Sequence, residues 1–313
     1  MSHPIVAYSP EAAGQAARIL SDGGLVAVPT ETVYGLAADA TDDRAVARIY
    51  EAKGRPSFNP LIIHVTGLEM ASRYAVISPL AETLAAAFWP GPLTMVLPVR
   101  PDSGLSTLVT AGLDTVAIRC PQSLPAQAIL AALGRPFAAP SANPSGGLSP
   151  TSAAHVAAAL GEKVDMILDD GPSSVGVEST IIAVGETLTL LRPGSITVAQ
   201  IEKITGQGVE VKEQTGTILA PGMMESHYAP KALLRLNATA PETGEAFLGF
   251  GATTAPGALN LSPSGDLTEA AANLFAFLHR LDDTANRIAV APIPDTGLGI
   301  AINDRLRRAA APR

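Results

Sequence analysis

Leu25-Val26-Ala27-Val28-Pro29-Thr30-Glu31-Thr32-Val33-Tyr34-Gly35-Leu36 decides how the chain is read. Four apolar residues stopped by a proline predict a short buried strand. The residues after it are polar and of short reach: two threonines, a carboxylate and a phenol. Ligands of α/β domains gather at the ends of such strands. The segment therefore reads either as a capped turn or as one wall of a site.

The same rhythm extends outward in both directions. Ser9-Pro10-Glu11 predicts a capped helix running to about Ser21, closed by Gly23-Gly24. Thr41 or Asp42 caps a helix to Ala52, with Ala45, Val46, Ile49 and Tyr50 on one face. Further strands are predicted at 61–65, 93–99, 115–119, 137–139, 166–168, 179–184 and 188–191, with a hairpin turn at Gly185-Glu186. Helices are predicted at 79–88, 124–133, 151–160 and 197–205. Interleaved strands and helices make residues 1–205 an α/β or mixed α+β domain. Residues 206–230 lose the periodicity and read as an extended linker. The pattern restarts over 231–313, with strands at 232–236, 246–250 and 287–291 and helices at 267–281 and 300–310. This predicts a second, small α/β domain.

Composition bounds the function. The 313 residues fit about two domains of about 150 each. A hydrophobic share of 47% supplies the cores, and a charged share of 16% argues against a disordered or coiled-coil chain. The net charge of −8 disfavours broad nucleic-acid binding, which calls for a basic surface. The single cysteine, Cys120, excludes an intrachain disulfide and a multi-cysteine zinc site, and fits a reducing compartment. The start of the chain lacks a signal-peptide pattern. The uncharged stretch 83–99 carries Pro90, Gly91, Pro92 and Pro98, which is incompatible with a membrane-spanning helix. A soluble, cytoplasmic protein with no membrane partner is expected.

Familiar nucleotide and hydrolase signatures are missing: no G-x-x-x-x-G-K-[ST], no G-x-G-x-x-G after a strand, no H-E-x-x-H and no G-x-S-x-G. Two more polar segments stand beside strands. Lys53-Gly54-Arg55-Pro56-Ser57-Phe58-Asn59-Pro60 precedes the strand with His64. Its cations serve either the dipole of the preceding helix or an oligophosphate held by a stiff loop. Ala139-Pro140-Ser141-Ala142-Asn143-Pro144-Ser145-Gly146-Gly147 is either a surface loop or a phosphate cradle. There Ser149 or Thr151 would open a helix whose N-terminus favours an anion. Thr115 and Arg119 bracket a strand, Ser179-Thr180 open another, and Arg192-Pro193-Gly194 ends a hairpin.

Taken together, Pro-Thr-Glu-Thr-Val-Tyr-Gly-Leu (29–36), Lys-Gly-Arg-Pro (53–56) followed by Asn-Pro-Leu (59–61), Pro-Ser-Ala-Asn (140–143), Gly-Val-Glu-Ser-Thr (176–180) and Arg-Pro-Gly (192–194) resemble the threonylcarbamoyl-AMP synthase family. The combination of Lys53-x-Arg55 with Ser141-x-Asn143 in this order is specific. Ser-His-Tyr-Ala-Pro (226–230) and Ala-Ile-Asn-Asp-Arg-Leu (301–306) resemble its longer, two-domain branch. The linker reads Ala220-Pro221-Gly222-Met223-Met224, a small departure at its start, and the second domain is somewhat short.

The resemblance implies a YrdC-type twisted mixed sheet with flanking helices, plus a small Rossmann-like C-terminal domain. It implies synthesis of L-threonylcarbamoyl-adenylate from L-threonine, bicarbonate or CO2, and ATP, with release of pyrophosphate. The product would pass to a partner enzyme that modifies tRNA. By resemblance, Thr32, His64, Arg119, Ala139 and Ser179 would hold threonine, with Arg119 on its carboxylate. Lys53, Arg55, Asn59, Ser141 and Asn143 would hold phosphates, Lys53 and Arg55 being the catalytic pair. Thr115, Ser149 and Arg192 would fix the nucleotide, and Tyr228 would close over the site. Magnesium would arrive with ATP, with no protein metal site. The general base stays open between His64 and bicarbonate. A related carbamoyl-phosphate-using enzyme is disfavoured by the single cysteine. A non-enzymatic RNA- or nucleotide-binding module is the other reading.

Overall fold

The computed structural model describes residues 5–56, 58–211, 227–252, 255 and 257–312. The elements, in chain order, start with β1 (Ile5–Ala7), α1 (Pro10–Ser21), β2 (Val26–Val28), β3 (Gly35–Asp39), α2 (Asp43–Lys53), β4 (Ile62–His64), α3 (Leu68–Ala71), α4 (Pro79–Phe88) and β5 (Leu93–Pro98). Next come α5 (Thr107–Thr110), β6 (Thr115–Arg119), α6 (Leu124–Leu133), β7 (Phe137–Ala138), α7 (Ala153–Leu160), β8 (Met166–Asp169), β9 (Thr180–Val184), β10 (Leu188–Arg192), α8 (Val198–Thr205) and β11 (Val209–Val211). The C-terminal part holds β12 (Leu233–Arg235), β13 (Ala246–Gly249), β14 (Leu259–Asn260), α9 (Leu267–Asp282), β15 (Arg287–Val290) and α10 (Gly299–Ala310).

The helix boundaries follow their caps. Ser9 accepts a hydrogen bond from the Ala12 amide, and Asp42 accepts from those of Arg44 and Ala45. Each such cap is worth about 1 kcal/mol. Gly54 ends α2 in the left-handed conformation, φ 60°, where glycine carries no steric penalty. The helix expected to open at Ser149 or Thr151 starts later. Ser152 caps it on the His155 amide, and the Thr151 amide points to His155 Nδ1.

The large sheet is mixed, in the order β1-β8-β2-β3-β7-β4-β6-β5-β9-β10-β11. Side chains alternate between its faces. One face carries Leu25, Ala27, Leu36, Ala38, Ile63, Met95, Ile118 and Ile182 into the main core, against residues of α2, α4 and α7. The opposite face is divided. Over its first half, α1 and α6 pack on Val26, Val28, Ala37, Phe137, Met166 and Leu168. Over its second half, Ile62, Val96, Ala117, Ile181 and Leu191 form a small apolar cluster joined by no helix among the described residues. These residues are buried, and Ile62 among them reaches the wall of the site.

Four strands escaped the sequence reading. β1 and β14 are short edge strands. β3 follows the polar segment so closely that Gly35 and Leu36 look like part of the turn. The stretch expected to be linker starts in the large sheet, because β11 pairs in parallel with β10. Residues 212–226 of that stretch lie outside the described residues.

The second sheet, β12-β15-β13-β14, is entirely parallel. α9 and α10 bury Leu274, Phe275, Leu278, Ile302 and Leu306 in one core. Val33, Leu148 and Val177 of the first part join the same core, so the two sheets share packed apolar surface. The approach is close at Gly176, φ 75°, where a Cβ would lie 2.4 Å from the Ala271 carbonyl oxygen. His279 adds a contact of 3.1 Å from Nε2 to the Ser149 carbonyl oxygen and stacks on His155 with centroids 4.0 Å apart.

Candidate active site

The cavity gathers at strand ends, where His64, Arg119 and Arg192 close β4, β6 and β10, Ser179 precedes β9 and Ala139 follows β7. The wall includes Thr32, Val33, Arg55, Ile62, His64, Arg119, Ala139, Pro140, Ser141, Glu178, Ser179, Arg192, His227 and Tyr228. Register explains the placement. β4 and β6 pair His64 with Arg119 and Ile62 with Ala117, while β5 sets Thr94 beside Arg119. Residues two apart share a face, so Ile62, His64, Ala117 and Arg119 all point to the side that carries the small apolar cluster.

Arg119 is 4% exposed. Its Nη1 donates to Thr32 Oγ1 at 2.8 Å, its Nη2 to Glu31 Oε1 at 2.7 Å, and its Nε to the Gly91 carbonyl at 3.3 Å. A guanidinium has five N–H donors, so two remain for a substrate carboxylate. Burial raises the Glu31 carboxyl, but the charge and hydrogen bond of Arg119 outweigh it, and the group is held below its ordinary value. Thr32 is itself fixed by Thr30 at 2.9 Å. Ser179 Oγ contacts Thr94 Oγ1 at 2.7 Å and accepts from Arg192 Nη2 at 3.1 Å.

His64 is buried, stacks on Phe137, and leaves Nδ1 without a hydrogen-bond partner. Burial, reinforced by Arg119, pushes its pKa down to about 3. At neutral pH it is an uncharged imidazole that can accept or donate a hydrogen bond but holds no proton charge.

The cationic half has a different structure from the one anticipated. Arg55 lines the cavity, donating to the Asn59 and Pro60 carbonyls at 3.2 and 3.0 Å. Burial lowers its pKa to about 10, still well above neutral. Lys53 does not line the cavity. Its Nζ donates to the carbonyls of Ser141, at 2.6 Å, and Asn143. It thereby ties the 139–147 loop to the end of α2, aided by the Ser145 amide on the Lys53 carbonyl. Asn143 is equally inward, its amide donating to the Pro144 and Gly147 carbonyls at 3.0 and 2.8 Å. Asn59 is buried beside Arg55 rather than in the wall. Ser149 is buried behind the wall, where its hydroxyl donates to Glu178 Oε1.

Thr115 is not brought to the cavity. It shares the Arg119 face but lies four residues back along β6, about 13 Å away and paired with Pro98. Between them run Ala117, Ile62, Val96 and Ile181, of the small apolar cluster.

Several site residues were missed. Glu31, Glu178 and His227 lay inside quoted motifs with no role attached, and Arg305 stood in the tail. Each is a charged or imidazole side chain embedded in a motif that the chain brings to one place. Buried His227 faces Arg55, Lys53, Arg192 and Arg305, and burial first, then these charges, hold its pKa well below the ordinary value. Tyr228 is 1% exposed, at φ 62°, a strained conformation for a bulky residue. It packs on Phe275 and edge-on to His227. The Ala229 amide reaches the Gly146 carbonyl, and the His227 amide that of Arg308, which clamps this segment between the 139–147 loop and α10.

The hydrogen-bonding capacity left over clusters here. In the cavity wall, His64 Nδ1, His227 Nδ1 and the Tyr228 hydroxyl are buried without hydrogen-bond partners. Each such group costs about 1–3 kcal/mol, so their concentration marks a place built for a polar ligand.

Comparison with known proteins follows the same division. The Sua5/YciO/YrdC family model, described as telomere recombination, matches residues 18–194. A model described as threonylcarbamoyl-AMP synthase, C-terminal domain, matches residues 196–311. The threonylcarbamoyl-AMP synthase of Bacillus subtilis (strain 168) is 42% identical, covering 96% of this chain and 93% of its own. That of Pyrococcus abyssi (strain GE5 / Orsay) is also 42% identical, covering 95% and 94%. The crystal structure of P. abyssi Sua5 complexed with L-threonine superposes with a TM-score of 0.90 at 38% identity, covering 99% of this chain and 98% of that one.

Proposed function

The chain belongs to the threonylcarbamoyl-AMP synthase family, whose reaction is a nucleotidyl transfer, and on that premise we propose how its cavity divides the work. The observation that carries the reading is the convergence of Thr32, His64, Arg119, Ala139 and Ser179 with Arg55, Ser141, Arg192 and Tyr228 on one cavity.

L-Threonine occupies the Arg119 end, its carboxylate on the two remaining guanidinium donors. Thr32, Ser179 and neutral His64 supply hydrogen bonds to the rest of the molecule. The amine combines with bicarbonate, losing water and a proton, or with CO2, losing two protons from the ammonium form, to give a carbamate. A carbamate oxygen then attacks the α-phosphorus of ATP. The P–O bond to the β-phosphate breaks, and pyrophosphate leaves toward Arg55, Arg192 and the 139–147 loop. The adenosine extends along the small apolar cluster toward Thr115, which assigns that residue to the nucleotide's far end. Catalysis is then positioning and charge stabilisation.

His64 is a hydrogen-bonding group rather than the proton acceptor, because a base with a pKa of about 3 is far from the match that proton transfer at neutral pH needs. Bicarbonate is the acceptor that fits. Magnesium enters as the counter-ion of ATP. Among the described residues no three His, Cys, Asp or Glu side chains gather as a metal site, and both oxygens of Glu178 are already engaged. His227 and Tyr228 are buried in the cavity wall, and ATP enters by displacement of that segment.

The product passes to an enzyme that transfers the threonylcarbamoyl group to tRNA. We place the reaction in the cytoplasm, in keeping with a chain in which no helix among the described residues is long and apolar enough to cross a membrane.

Pyrophosphate release from ATP and magnesium tests this reading. Release should require both L-threonine and bicarbonate and collapse in Arg119→Ala. Release that ignores threonine would overturn it in favour of a nucleotide-binding module.

A further inference from the structure

Arg305 is among the largest fully buried side chains of the molecule. It comes from α10, in the C-terminal part, yet its partners are in the wall of the cavity. Nε donates to Glu178 Oε2 at 2.8 Å, and Nη1 donates to the Pro193 carbonyl at 2.8 Å. Nη2 reaches the Glu178 carbonyl at 3.4 Å. The guanidinium carbon stands 5.3 Å from the Tyr228 ring centroid, within cation–π range. Asp304 shares the load, accepting from Arg305 Nη1 at 2.9 Å and from Arg308 Nε at 3.0 Å.

These contacts touch three separate pieces of wall. Glu178 precedes Ser179, Pro193 follows Arg192, and Tyr228 closes the far side. Glu178 matters most. It is a carboxylate in the lining of a cavity otherwise walled by Arg55, Arg119 and Arg192. Its second oxygen takes the Ser149 hydroxyl. A buried carboxylate with its arginine removed is an uncompensated charge, and here that charge would face the approaching polyphosphate.

We propose that the C-terminal domain supplies a positioning residue to the nucleotide site: Arg305 neutralises and aims Glu178, and thereby keeps the cavity cationic and holds Ser149, Arg192 and Tyr228 in register. The proposal rests on the cavity being the polyphosphate site. It gives the second domain a defined task, since α10 supplies the guanidinium that hydrogen-bonds the Glu178 Oε2 oxygen, leaving Ser149 on the other.

A double-mutant cycle over Arg305 and Glu178 tests it, with full-length parent, Arg305→Gln, Glu178→Gln and the double variant. Melting curves fix a temperature at which all four are folded. Pyrophosphate release gives KM and kcat for ATP and threonine, and inorganic pyrophosphate serves as a competing probe. Arg305→Gln should raise KM for ATP and weaken pyrophosphate inhibition by about 30-fold or more, with a smaller change in KM for threonine. Adding Glu178→Gln should recover at least tenfold of both losses, because the orphaned charge is gone. Losses that multiply in the double variant, or an equal loss for ATP and threonine with no recovery, would show an arginine that is merely structural and overturn the proposal. A parent protein whose release ignores threonine would instead remove the underlying reading, whatever the cycle shows.

Discussion

Lys53→Met separates two roles for one lysine. The sequence put the ammonium on a phosphate, whereas the structure puts it on the carbonyls of Ser141 and Asn143. Methionine keeps most of the volume and deletes both hydrogen bonds. Two lost bonds, and two carbonyls left without this donor, destabilise by about 2–4 kcal/mol, after allowing for the desolvation that the amine no longer bears. At about 2–4 °C per kcal/mol for a domain of this size, the melting temperature should fall by roughly 5–15 °C. KM for ATP should rise as well, because the loop that carries Ser141 and Asn143 loses its tether.

A second signature concerns pH. Burial, and then Arg55, lower the Lys53 pKa well below its ordinary value. Between that folded value and about 10.4, the unfolded chain binds the extra proton, so stability from this site rises with pH. The gap between parent and variant should therefore widen from pH 7.5 to 9.5. The assay is thermal and urea unfolding across that range, alongside pyrophosphate release. A variant that melts within about 1 °C of the parent while losing ATP binding would refute the tether and restore direct phosphate contact.

Four further outcomes follow from particular contacts. Glu31→Gln should raise KM for threonine by about tenfold with little effect on KM for ATP, since the 2.7 Å pair with Arg119 sets that guanidinium and a charge-assisted bond is worth about 1.4 kcal/mol more than its neutral counterpart; unchanged threonine kinetics would detach Glu31 from the site. Gly176→Ala should destabilise the chain by at least about 2 kcal/mol, because its Cβ would lie 2.4 Å from the Ala271 carbonyl oxygen, and an unaltered melting curve would mean the two parts do not meet there. His64 and His227 have lowered folded pKa values, so the unfolded state takes up their protons first as pH falls below about 6.5, and the unfolding free energy from urea melts should drop by on the order of 1 kcal/mol per pH unit for each, lowering the midpoint. A midpoint that holds steady from pH 7.5 to 5.5 would contradict neutral buried imidazoles. Thr115→Val should impair ATP use only modestly, about two- to tenfold, and a loss as deep as that of Arg119→Ala would mean Thr115 reaches the reacting centre.

Much of the fold was legible because its signals are local. Ser9, Asp42, Ser123 and Thr197 cap helices, and Gly54, Gly134 and Gly206 end them in left-handed turns. These depend on residues within a few positions of one another. β3 was hidden because its first residues complete the 29–36 segment, and β11 because a three-residue edge strand has no periodicity to show. The motif residues of the site were all visible as residues. Their division of labour was not: Lys53, Asn143 and Ser149 support the wall, whereas Arg55, Arg119 and Arg192 form it.

The amino-acid sequence by itself determined the alternation of strands and helices, the two-part organisation and the chemical inventory of the site, because caps, apolar periodicity and short motifs are written along the chain. Only the tertiary structure decided which strand ends meet in one cavity, that Glu31 pairs with Arg119, and that Arg305 crosses from the last helix to Glu178. Those facts depend on strand register and on which segments meet at those ends. Both are set by packing between segments more than 80 positions apart, such as Glu31 with Arg119 and Glu178 with Arg305, and no local pattern encodes them.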